Sequence, residues 1–439
     1  MLNNYLTKSV VGAHFLKPLA GFLDRCRSQR DCPALPDGLW LEVGIRRCLG
    51  LYQSGRDFLQ DLGDRHHTDI LRTTFFESLK SKRRLALLSE ILAQSHTKMC
   101  QLLPDPFAAF KSLDDFDLYA GDGHFVVAAS HDKAKPRKSP CKGKKADRTA
   151  AFTATKYATG HLYALCLRSH GMTHLTVSDQ VERNKEHDMR ALKRQDINAL
   201  RQDAPKGRKV LYIWDRAGID FCQWFKWKQN GIYILSRAKE NLKLETLGQH
   251  SFDPTDPINC GVISDEIVST SMGVSVRRVI YQDPETDHIY TYLTNLPPSI
   301  PPGVIALLYK SRWDVEKVFD EFKNKLGEIK SWASTPTAKT CQARLLCLTH
   351  NLMTLMEQQI LRETGIQNEA EIKRKAETIS ARDTDSKNKG LGGLTVLQKA
   401  IQRLTQRTVK FIRWLKNHLD ATWSWTQALA RFAQIYASS

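Results

Sequence analysis

The chain has 439 residues, of which 65 are Lys or Arg and 47 are Asp or Glu, so its formal charge is +18. Apolar residues make up 41% of the chain, which excludes a wholly disordered protein, and the length allows two or three domains of roughly 100–200 residues each. No apolar run approaches the roughly 18 residues of a membrane helix, so we expect a soluble chain.

The excess of positive charge favours a polyanionic partner. We expect nucleic acid rather than an anionic membrane surface, because no basic amphipathic helix with an aromatic apolar face stands out.

Cysteine usage indicates a reducing compartment. The 10 cysteines are scattered, and none forms a CxxC or a Cys/His cluster with zinc spacing, so we expect reduced thiols in a cytoplasm. The first 23 residues hold no acid, which is typical of a transit peptide, but they lack Arg and a long apolar stretch with a cleavage site. We interpret them as a helix of the folded protein.

Residues 1–108 carry apolar side chains at helical spacing, which predicts a helical region. Within it, Ser54–Leu62 and Asp69–Leu79 are separated by a polar break, with Thr68 as the N-cap of the second segment. Two interpretations stay open: a helix-turn-helix that reads a DNA groove, or an ordinary helical hairpin. Basic residues in and after the second segment favour DNA: Arg72, Lys80, Lys82, Arg83 and Arg84.

The pattern changes near residue 117, where strand-like and helical segments begin to alternate. The strand-like runs are Leu118–Ala129, Thr155–Arg168, Met172–Val177, Lys209–Trp214 and Gly231–Leu235. The helical runs are Val181–Gln202 and Phe221–Lys228. This order predicts an α/β layer built on a mixed sheet.

Residues 241–300 predict a small antiparallel β insertion. Three alternating runs are separated by turns rich in Gly, Pro and Asp: Val262–Thr270, Val274–Tyr281 and His288–Thr294. After Pro301 the pattern is helical to the end of the chain. We expect Ser380–Gly393 to be a loose linker before a last basic helical segment, Leu394–Ala437.

Residues 131–148 are strongly basic, with eight Lys or Arg against two Asp. Such a run cannot bury itself, which predicts a mobile loop. Three interpretations stay open: a nuclear localisation signal, a loop that grips phosphates beside the strand ending near Ala129, or a merely solvated loop.

Three acids lie where metal chemistry could use them. Asp122 interrupts an apolar run, where a lone carboxylate is costly unless it is paired or bound to a cation. Asp215 follows a compact strand, at the edge where α/β sheets place function, and Glu316 lies on a predicted helix. Carboxylate oxygens of this kind suit divalent ions. In a chain with 47 acids, such a triple is by itself a weak signal.

The spacing around Glu316 is more informative. The segment has the pattern Tyr309-x2-Arg312-x3-Glu316-x6-Lys323, and these four residues share a stripe of roughly 60° if the helix is continuous. A neighbouring stripe is apolar and predicts the buried face: Leu308, Val315, Phe319, Phe322 and Leu326. The pattern places a carboxylate among phosphate-binding side chains, although a solvated charged face is the alternative.

The stripe resembles the Tyr-Arg-Glu-Lys signature of DDE transposases of the insertion-sequence-four family, the cut-and-paste bacterial elements. Trp313, directly after the arginine, is also typical of that family. Asp122 follows its first-strand pattern, Asp215-Arg216 resembles its Asp-Arg pair, and Ile232–Arg237 resembles its following strand. The likeness covers roughly residues 117–345.

The resemblance implies an α/β fold with a ribonuclease-H-like mixed-sheet core. That core would comprise residues 109–240 and 301–345, with 241–300 as the family's β-rich insertion. A helical DNA-binding domain, 1–108, would precede it, and a helical region, 346–439, would follow. The insertion accounts for the long separation of Asp215 from Glu316.

The resemblance also implies a site. Asp122, Asp215 and Glu316 would be catalytic and would bind two Mg²⁺ or Mn²⁺ ions. DNA contacts would come from six residues: Tyr309, Arg312, Trp313, Lys323, Arg237 and Lys239. One departure concerns His124, which stands where the family usually has a small hydroxyl residue. We prefer a core role for His124. Because of this departure, Asp114, Asp115 and Asp117 stay open as weaker candidates than Asp122 for the first catalytic acid.

The resemblance implies that the protein is a cut-and-paste DNA transposase. It would act as a homodimer on paired ends of double-stranded DNA. We expect it in the bacterial cytoplasm, associated with the nucleoid, and we expect no membrane partner. Relatives nick one strand, form and reopen a hairpin, and join the end to target DNA. Two alternatives stay open. One is a catalytically silent DNA-binding derivative, and the other is a structure-specific nuclease of the same fold.

Overall fold

The computed structural model describes the chain except for a set of residues outside its described part: 1–5, 33, 51, 53, 68–69, 130–157, 179–187, 203, 285, 328–329, 366–368, 389–408 and 438–439. The predicted N-cap Thr68 and the basic run 131–148 therefore lie outside the described residues.

The helices alternate with strands much as the sequence pattern predicts. The helices are α1 Val10–Leu23, α2 Asp37–Leu49, α3 Gly55–His66, α4 Arg72–Ser78, α5 Lys82–Leu102, α6 Asp188–Lys193, α7 Ile197–Leu200, α8 Phe221–Lys228, α9 Pro302–Ser311, α10 Asp314–Asn324, α11 Pro336–Thr364 and α12 Glu369–Asn388, followed by two C-terminal helices, Val409–His418 and Trp425–Ala437. The strands are β1 Phe116–Val127, β2 Ala158–Cys166, β3 Met172–Val177, β4 Lys209–Trp214, β5 Ile232–Arg237, β6 Leu244–Gln249, β7 Val262–Thr270, β8 Ser275–Gln282 and β9 Ile289–Thr294.

All of these strands join one sheet of nine, in the order β3-β2-β1-β4-β5-β9-β8-β7-β6. Strands β1, β4 and β5 run parallel, and the other neighbours are antiparallel, so the expected mixed α/β sheet is confirmed. The strands predicted within 241–300 are present. They extend the same sheet, because β9 pairs with β5 through Leu235 and Thr294.

The sheet is covered on both faces, which is why its central strands are nearly continuous apolar runs. Along β4, Leu211 and Ile213 belong to a core shared with the N-terminal helices and with α9 to α11. Val210, Tyr212 and Trp214 point to the opposite core, which α6 to α8 complete. The period-two alternation of a strand thus divides β4 between two cores.

Helix α11 ties the N-terminal helices to the sheet. It packs against α5, α2 and β3. Its buried Asn351 donates to Ser95 Oγ on α5 at 3.1 Å and accepts from the Met172 backbone N–H at 2.9 Å. The described part of the chain contains no helix that is long and apolar enough to cross a membrane.

Two helical expectations differ from the structure. Over residues 188–202, the described part of the run Val181–Gln202, there are two short helices, α6 and α7, because the Asp196 side chain accepts from the Asn198 N–H and begins a new helix. The predicted linker Ser380–Gly393 is wrong over residues 380–388, where α12 continues to Asn388. In the terminal segment, residues 394–408 lie outside the described part, and two helices follow.

Candidate active site

Two predicted acids lie at the same edge of the sheet. In the parallel pair β1 and β4, Ala120 is opposite Ile213, and Asp122 and Asp215 each follow two residues later. Neighbouring strands in a sheet are about 4.8 Å apart, so this register places the two acids side by side. In the next pair, Trp214 is opposite Ser236, which makes Arg237 level with Asp215.

Local hydrogen bonds hold Asp215 at the end of its strand. Its carboxylate accepts from the Ala217 N–H at 2.8 Å and caps the short 3-10 turn Arg216–Gly218. Its carbonyl oxygen accepts from Ser236 Oγ at 2.6 Å. The carboxylate is therefore anchored by the backbone directly after β4.

The helical side of the site is broken rather than continuous. Helix α9 ends at Ser311 and α10 begins at Asp314. Between them, the Val315 N–H donates to the Arg312 carbonyl and the Glu316 N–H donates to the Trp313 carbonyl, both at 3.2 Å. Each of these bonds joins residues three apart, so the condition of a continuous helix, on which the 60° stripe depended, is not met.

The broken segment keeps its direction because Arg312 and Trp313 both retain right-handed helical torsions. The apolar stripe therefore stays in phase, and its five predicted residues are all buried: Leu308, Val315, Phe319, Phe322 and Leu326. The tight turn also packs Arg312 inward, with 8% of its surface exposed.

Arg312 joins two of the predicted acids. Its Nη1 lies 2.9 Å from Asp122 Oδ2, and its Nη2 lies 2.9 Å from Glu316 Oε1. Burial opposes the charge of this guanidinium, but Asp122, Tyr309 and Glu316 outweigh it and raise the pKa of Arg312. The arginine thus compensates two carboxylates from opposite sides of the site.

Asp122 is the acid whose ionisation is most disturbed. Burial raises the pKa of Asp122 to about 6, while the Arg312 guanidinium and the Gly123 N–H oppose this rise. The negative charges of Asp215 and Glu316 raise the pKa of Asp122 further. All three predicted acids are therefore close enough to interact electrostatically.

Tyr309 connects the site to the β-rich segment. Burial raises its pKa, Arg312 and Arg237 lower it, and Asp215 raises it, so these groups share one environment. Its ring lies 5.0 Å from Tyr292, and Arg237 lies over the Tyr290 ring at 4.8 Å.

Tyr290 and Tyr292, together with His288, were missed by the sequence reasoning. His288 Nε2 lies 3.3 Å from Arg237 Nη2. The alternation in His288–Thr294 predicted the strand, but it did not indicate which strand it pairs with. The pairing of Arg237 with Tyr292 across β5 and β9 is what brings these residues in.

The remaining predicted DNA contacts are Trp313, Lys323 and Lys239. Trp313 is 55% exposed, and its ring lies 6.0 Å from the Arg312 guanidinium carbon. Lys323 is exposed in the last turn of α10. Lys239 lines a surface depression together with Lys193 and Lys226.

His124 packs beside the site. Its ring stacks on Phe319 with centroids 4.9 Å apart. Its cross-strand neighbour is the buried His161. This packing places His124 against α10, one turn beyond Glu316.

The chemistry of the donor set suits a hard divalent cation. Asp122, Asp215 and Glu316 supply carboxylate oxygens, the ligands that Mg²⁺ prefers, and their mutual repulsion favours a cation among them. In this structure Arg312 supplies that positive charge. Within the described residues, no three His, Cys, Asp or Glu side chains already form a metal-binding group.

A family model described as the transposase DDE domain matches residues 117–352, more than half of the chain. The chain belongs to the DDE transposase family. The match begins at the second residue of β1 and ends within α11, so it contains Asp122, Asp215 and Glu316. No curated protein matches the chain.

Membership of the DDE transposase family indicates a nuclease and transposase type of enzyme whose partner is DNA. DDE transposases typically use divalent metal ions, in agreement with the carboxylate donors at the sheet edge.

Proposed function

We propose that this transposase cleaves DNA at the ends of a mobile element and joins those ends to target DNA by a cut-and-paste reaction. The observation that carries the proposal is the bridge from Arg312 to both Asp122 and Glu316, at 2.9 Å on each side, beside the strand end that holds Asp215. Two acids from distant parts of the chain thus contact a phosphate-binding type of side chain, and the charge of Asp215 acts on one of them, Asp122.

We assign the core to the ribonuclease-H-like class and the chain to the insertion-sequence-four group. The strand order β3-β2-β1-β4-β5, with β1 parallel to β4 and antiparallel to β2, supports the first assignment. The spacing of Tyr309, Arg312, Glu316 and Lys323 supports the second. The β-rich insertion would then be 241–300, between the second and third acids.

Asp122, Asp215 and Glu316 would hold two Mg²⁺ or Mn²⁺ ions. When bound, such ions activate a water or 3′-hydroxyl nucleophile and stabilise the leaving oxygen of an in-line displacement. The protein's own part is to place these carboxylates on the rigid end of the sheet and on α10.

The basic residues around the acids would position the DNA strand. Arg312 is suited to a scissile phosphate because its planar fork already accommodates two carboxylates. Tyr309 and Arg237 flank it, Trp313 presents an exposed ring, and Lys323 extends the positive margin along α10. Lys239 would contact DNA further from the cleaved bond.

The helical region 1–108 and the basic C-terminal region would recognise element ends and partner subunits, with a homodimer acting on paired ends in a bacterial, nucleoid-associated cytoplasm. The net charge of +18 supports a DNA partner for the full chain.

A cleavage assay tests the proposal. The substrate is a labelled duplex that carries the inverted repeat flanking the coding region, with Mg²⁺ and a target plasmid. We expect strand cleavage followed by joined product, both lost in Glu316→Gln. Cleavage without joining would indicate a structure-specific nuclease, and binding without cleavage would indicate a silent DNA-binding derivative.

A further inference from the structure

A second basic site lies beyond the far end of α10. A cleft of about 530 Å³ opens between the N-terminal helices and the segment that follows α10, and Arg47, Arg72 and Trp332 are among its lining residues. Lys323 is seven residues beyond Glu316, which is roughly 10 Å along a helix. Gly327, four residues after Lys323, lines the cleft, so the cleft adjoins the end of α10.

Arg47 is the central feature of the cleft. It is 8% exposed, and its guanidinium carbon lies 4.8 Å from the Trp332 ring, 5.3 Å from Phe58 and 5.4 Å from Phe76. Its Nη1 donates to the Ser54 carbonyl at 3.2 Å. Rings thus hold the guanidinium in one orientation against the cleft.

The charge of Arg47 is not balanced by an ion pair within the described residues. Its Nε is buried and has no hydrogen-bond partner there. Burial lowers the pKa of Arg47 to about 10, and the opposing effects of Cys48, Tyr52 and Asp57 do not offset it. A buried cation without a counter-charge is costly, and an anion in the cleft would supply that charge and an acceptor for Nε.

The rim of the cleft adds positive charge. Arg72 is exposed and lies over the Phe76 ring at 6.0 Å. Lys330 also lines the cleft. Lys80 lines it too, but it is paired with Glu77, the one carboxylate among the described lining residues. The half-buried rings of Tyr52 and Trp332 provide apolar contact area between these cations.

We propose that this cleft binds a nucleotide of the DNA strand that runs along α10, with a backbone phosphate at Arg47 and Arg72 and the attached sugar and base against Trp332 and Tyr52. The proposal rests on the proposed function for the identity of the ligand as DNA. It adds a binding site outside the acid cluster, built jointly by the helical N-terminal region and the segment after α10.

The test measures binding of the full chain to a fluorescein-labelled, mixed-sequence DNA duplex over a range of salt concentrations, without added metal. Arg47→Met keeps the length of the side chain and its packing but removes the charge. Arg72→Ala removes an exposed charge with little risk to folding. Lys206→Ala is the matched control, since Lys206 is exposed in the turn before β4, at the opposite end of the parallel strands.

We expect Arg47→Met and Arg72→Ala each to weaken binding about fivefold and to reduce the slope of log K against log salt by about 0.9, as for one lost phosphate contact, while Lys206→Ala matches wild type. Thermal unfolding verifies that Arg47→Met is folded. If Arg47→Met does not fold, the binding of Arg72→Ala alone tests the proposal. Wild-type affinity and slope in Arg72→Ala would overturn the proposal.

Photocrosslinking gives an independent readout. With 5-iodouracil in place of thymine, we expect crosslinked peptides that contain Trp332 or Tyr52, and crosslinks confined to other regions would contradict the site. Both measurements omit metal and cleavage. A chain that binds DNA through this cleft but never cuts would refute only the proposed function, whereas cutting with unchanged binding in the variants would refute only the cleft.

Discussion

Arg312 reaches Asp122, a residue from the first strand of the sheet, at 2.9 Å, and it also pairs with Glu316 one turn further along its own segment. A cation therefore already lies between two acids of the site. This relationship makes Arg312 and a divalent ion competitors for the same carboxylates.

Removing one acid should abolish cleavage without affecting DNA binding. Asp215→Ala and Glu316→Ala, or the isosteric Glu316→Gln, delete oxygen ligands but no phosphate-binding cation. We expect Mg²⁺-dependent cleavage of end DNA to fall below detection and the dissociation constant for DNA to change less than about twofold. Asp320→Asn, one turn away on α10, is the control and should cleave normally. Cleavage by Glu316→Gln at the wild-type rate would refute the site.

Removing Arg312 should make the fold more dependent on metal. Arg312→Ala leaves Asp122 and Glu316 without their shared cation, which should lower metal-free stability by about 1–3 kcal/mol, given that both carboxylates are partly exposed. We expect Mg²⁺ to raise the unfolding temperature more in Arg312→Ala than in wild type, because an ion can replace the lost charge. Arg312→Lys should lie between them. An equal Mg²⁺ effect in all three proteins would show that no ion binds among these acids.

Lys323 should contribute a single electrostatic contact to DNA. Because it is exposed at the end of α10, Lys323→Ala should leave stability unchanged, weaken DNA binding about fivefold and reduce the salt slope by about 0.9. Fluorescence anisotropy at several salt concentrations measures both quantities. Lys228→Ala, an equally exposed lysine on α8, should have neither effect, and equal losses in the two variants would indicate only a change in net charge.

Gly121 should tolerate no side chain. A Cβ at this position would lie 2.5 Å from the Trp214 ring, whose residue directly precedes Asp215. We expect Gly121→Ala to cost about 1–3 kcal/mol of unfolding free energy and to reduce cleavage by displacing the strand end. Gly248→Ala, where the new methyl meets open space in β6, is the control and should behave as wild type in urea unfolding.

Buried histidines should make the protein sensitive to acid. Burial lowers the pKa of His161 from 6.5 to about 3, and the pKa of its partner His174 is also lowered by burial. Between these limits the unfolded chain binds a proton that the native state does not, so stability should decrease as pH falls below about 6.5, by up to about 1.4 kcal/mol per pH unit for each histidine.

Urea unfolding at pH 7 and pH 5 tests this expectation. His161→Leu removes one of the two groups, so its loss of stability between these pH values should be smaller than in wild type. His288→Gln changes an exposed histidine and should preserve the wild-type loss. A pH dependence that is unchanged in His161→Leu would show that the buried pair does not control acid stability.

Local patterns in the sequence predicted many of the elements. The bounds of β4, Lys209–Trp214, and of α8, Phe221–Lys228, agree with the structure because an uninterrupted apolar run and an N-capping Asp220 are local signals. The buried stripe from Leu308 to Leu326 was predicted for the same reason. The break at Arg312 was not, since a turn that keeps helical torsions leaves the sequence period almost unaltered.

Non-local relationships could not be predicted from patterns. Ser380–Gly393 has the composition of a linker, yet α12 continues through its first part. β5 and β9 are separated in the chain by most of the β-rich segment. No local pattern therefore indicated that Tyr290 and Tyr292 lie near Tyr309. Arg47 and Trp332 are similarly far apart in the chain, and only the packed structure shows that they form one cleft.

The pairing of β5 with β9 has a consequence for how such proteins can be shortened. Excising the β-rich segment would expose the unsatisfied amide and carbonyl groups of β5 along an apolar strand, a template for intermolecular association. A trimmed catalytic fragment would therefore be prone to aggregate unless a charged or proline-bearing substitute were grafted along β5. In this chain the β-rich segment is an integral part of the sheet, and a shortened catalytic fragment must retain at least β9.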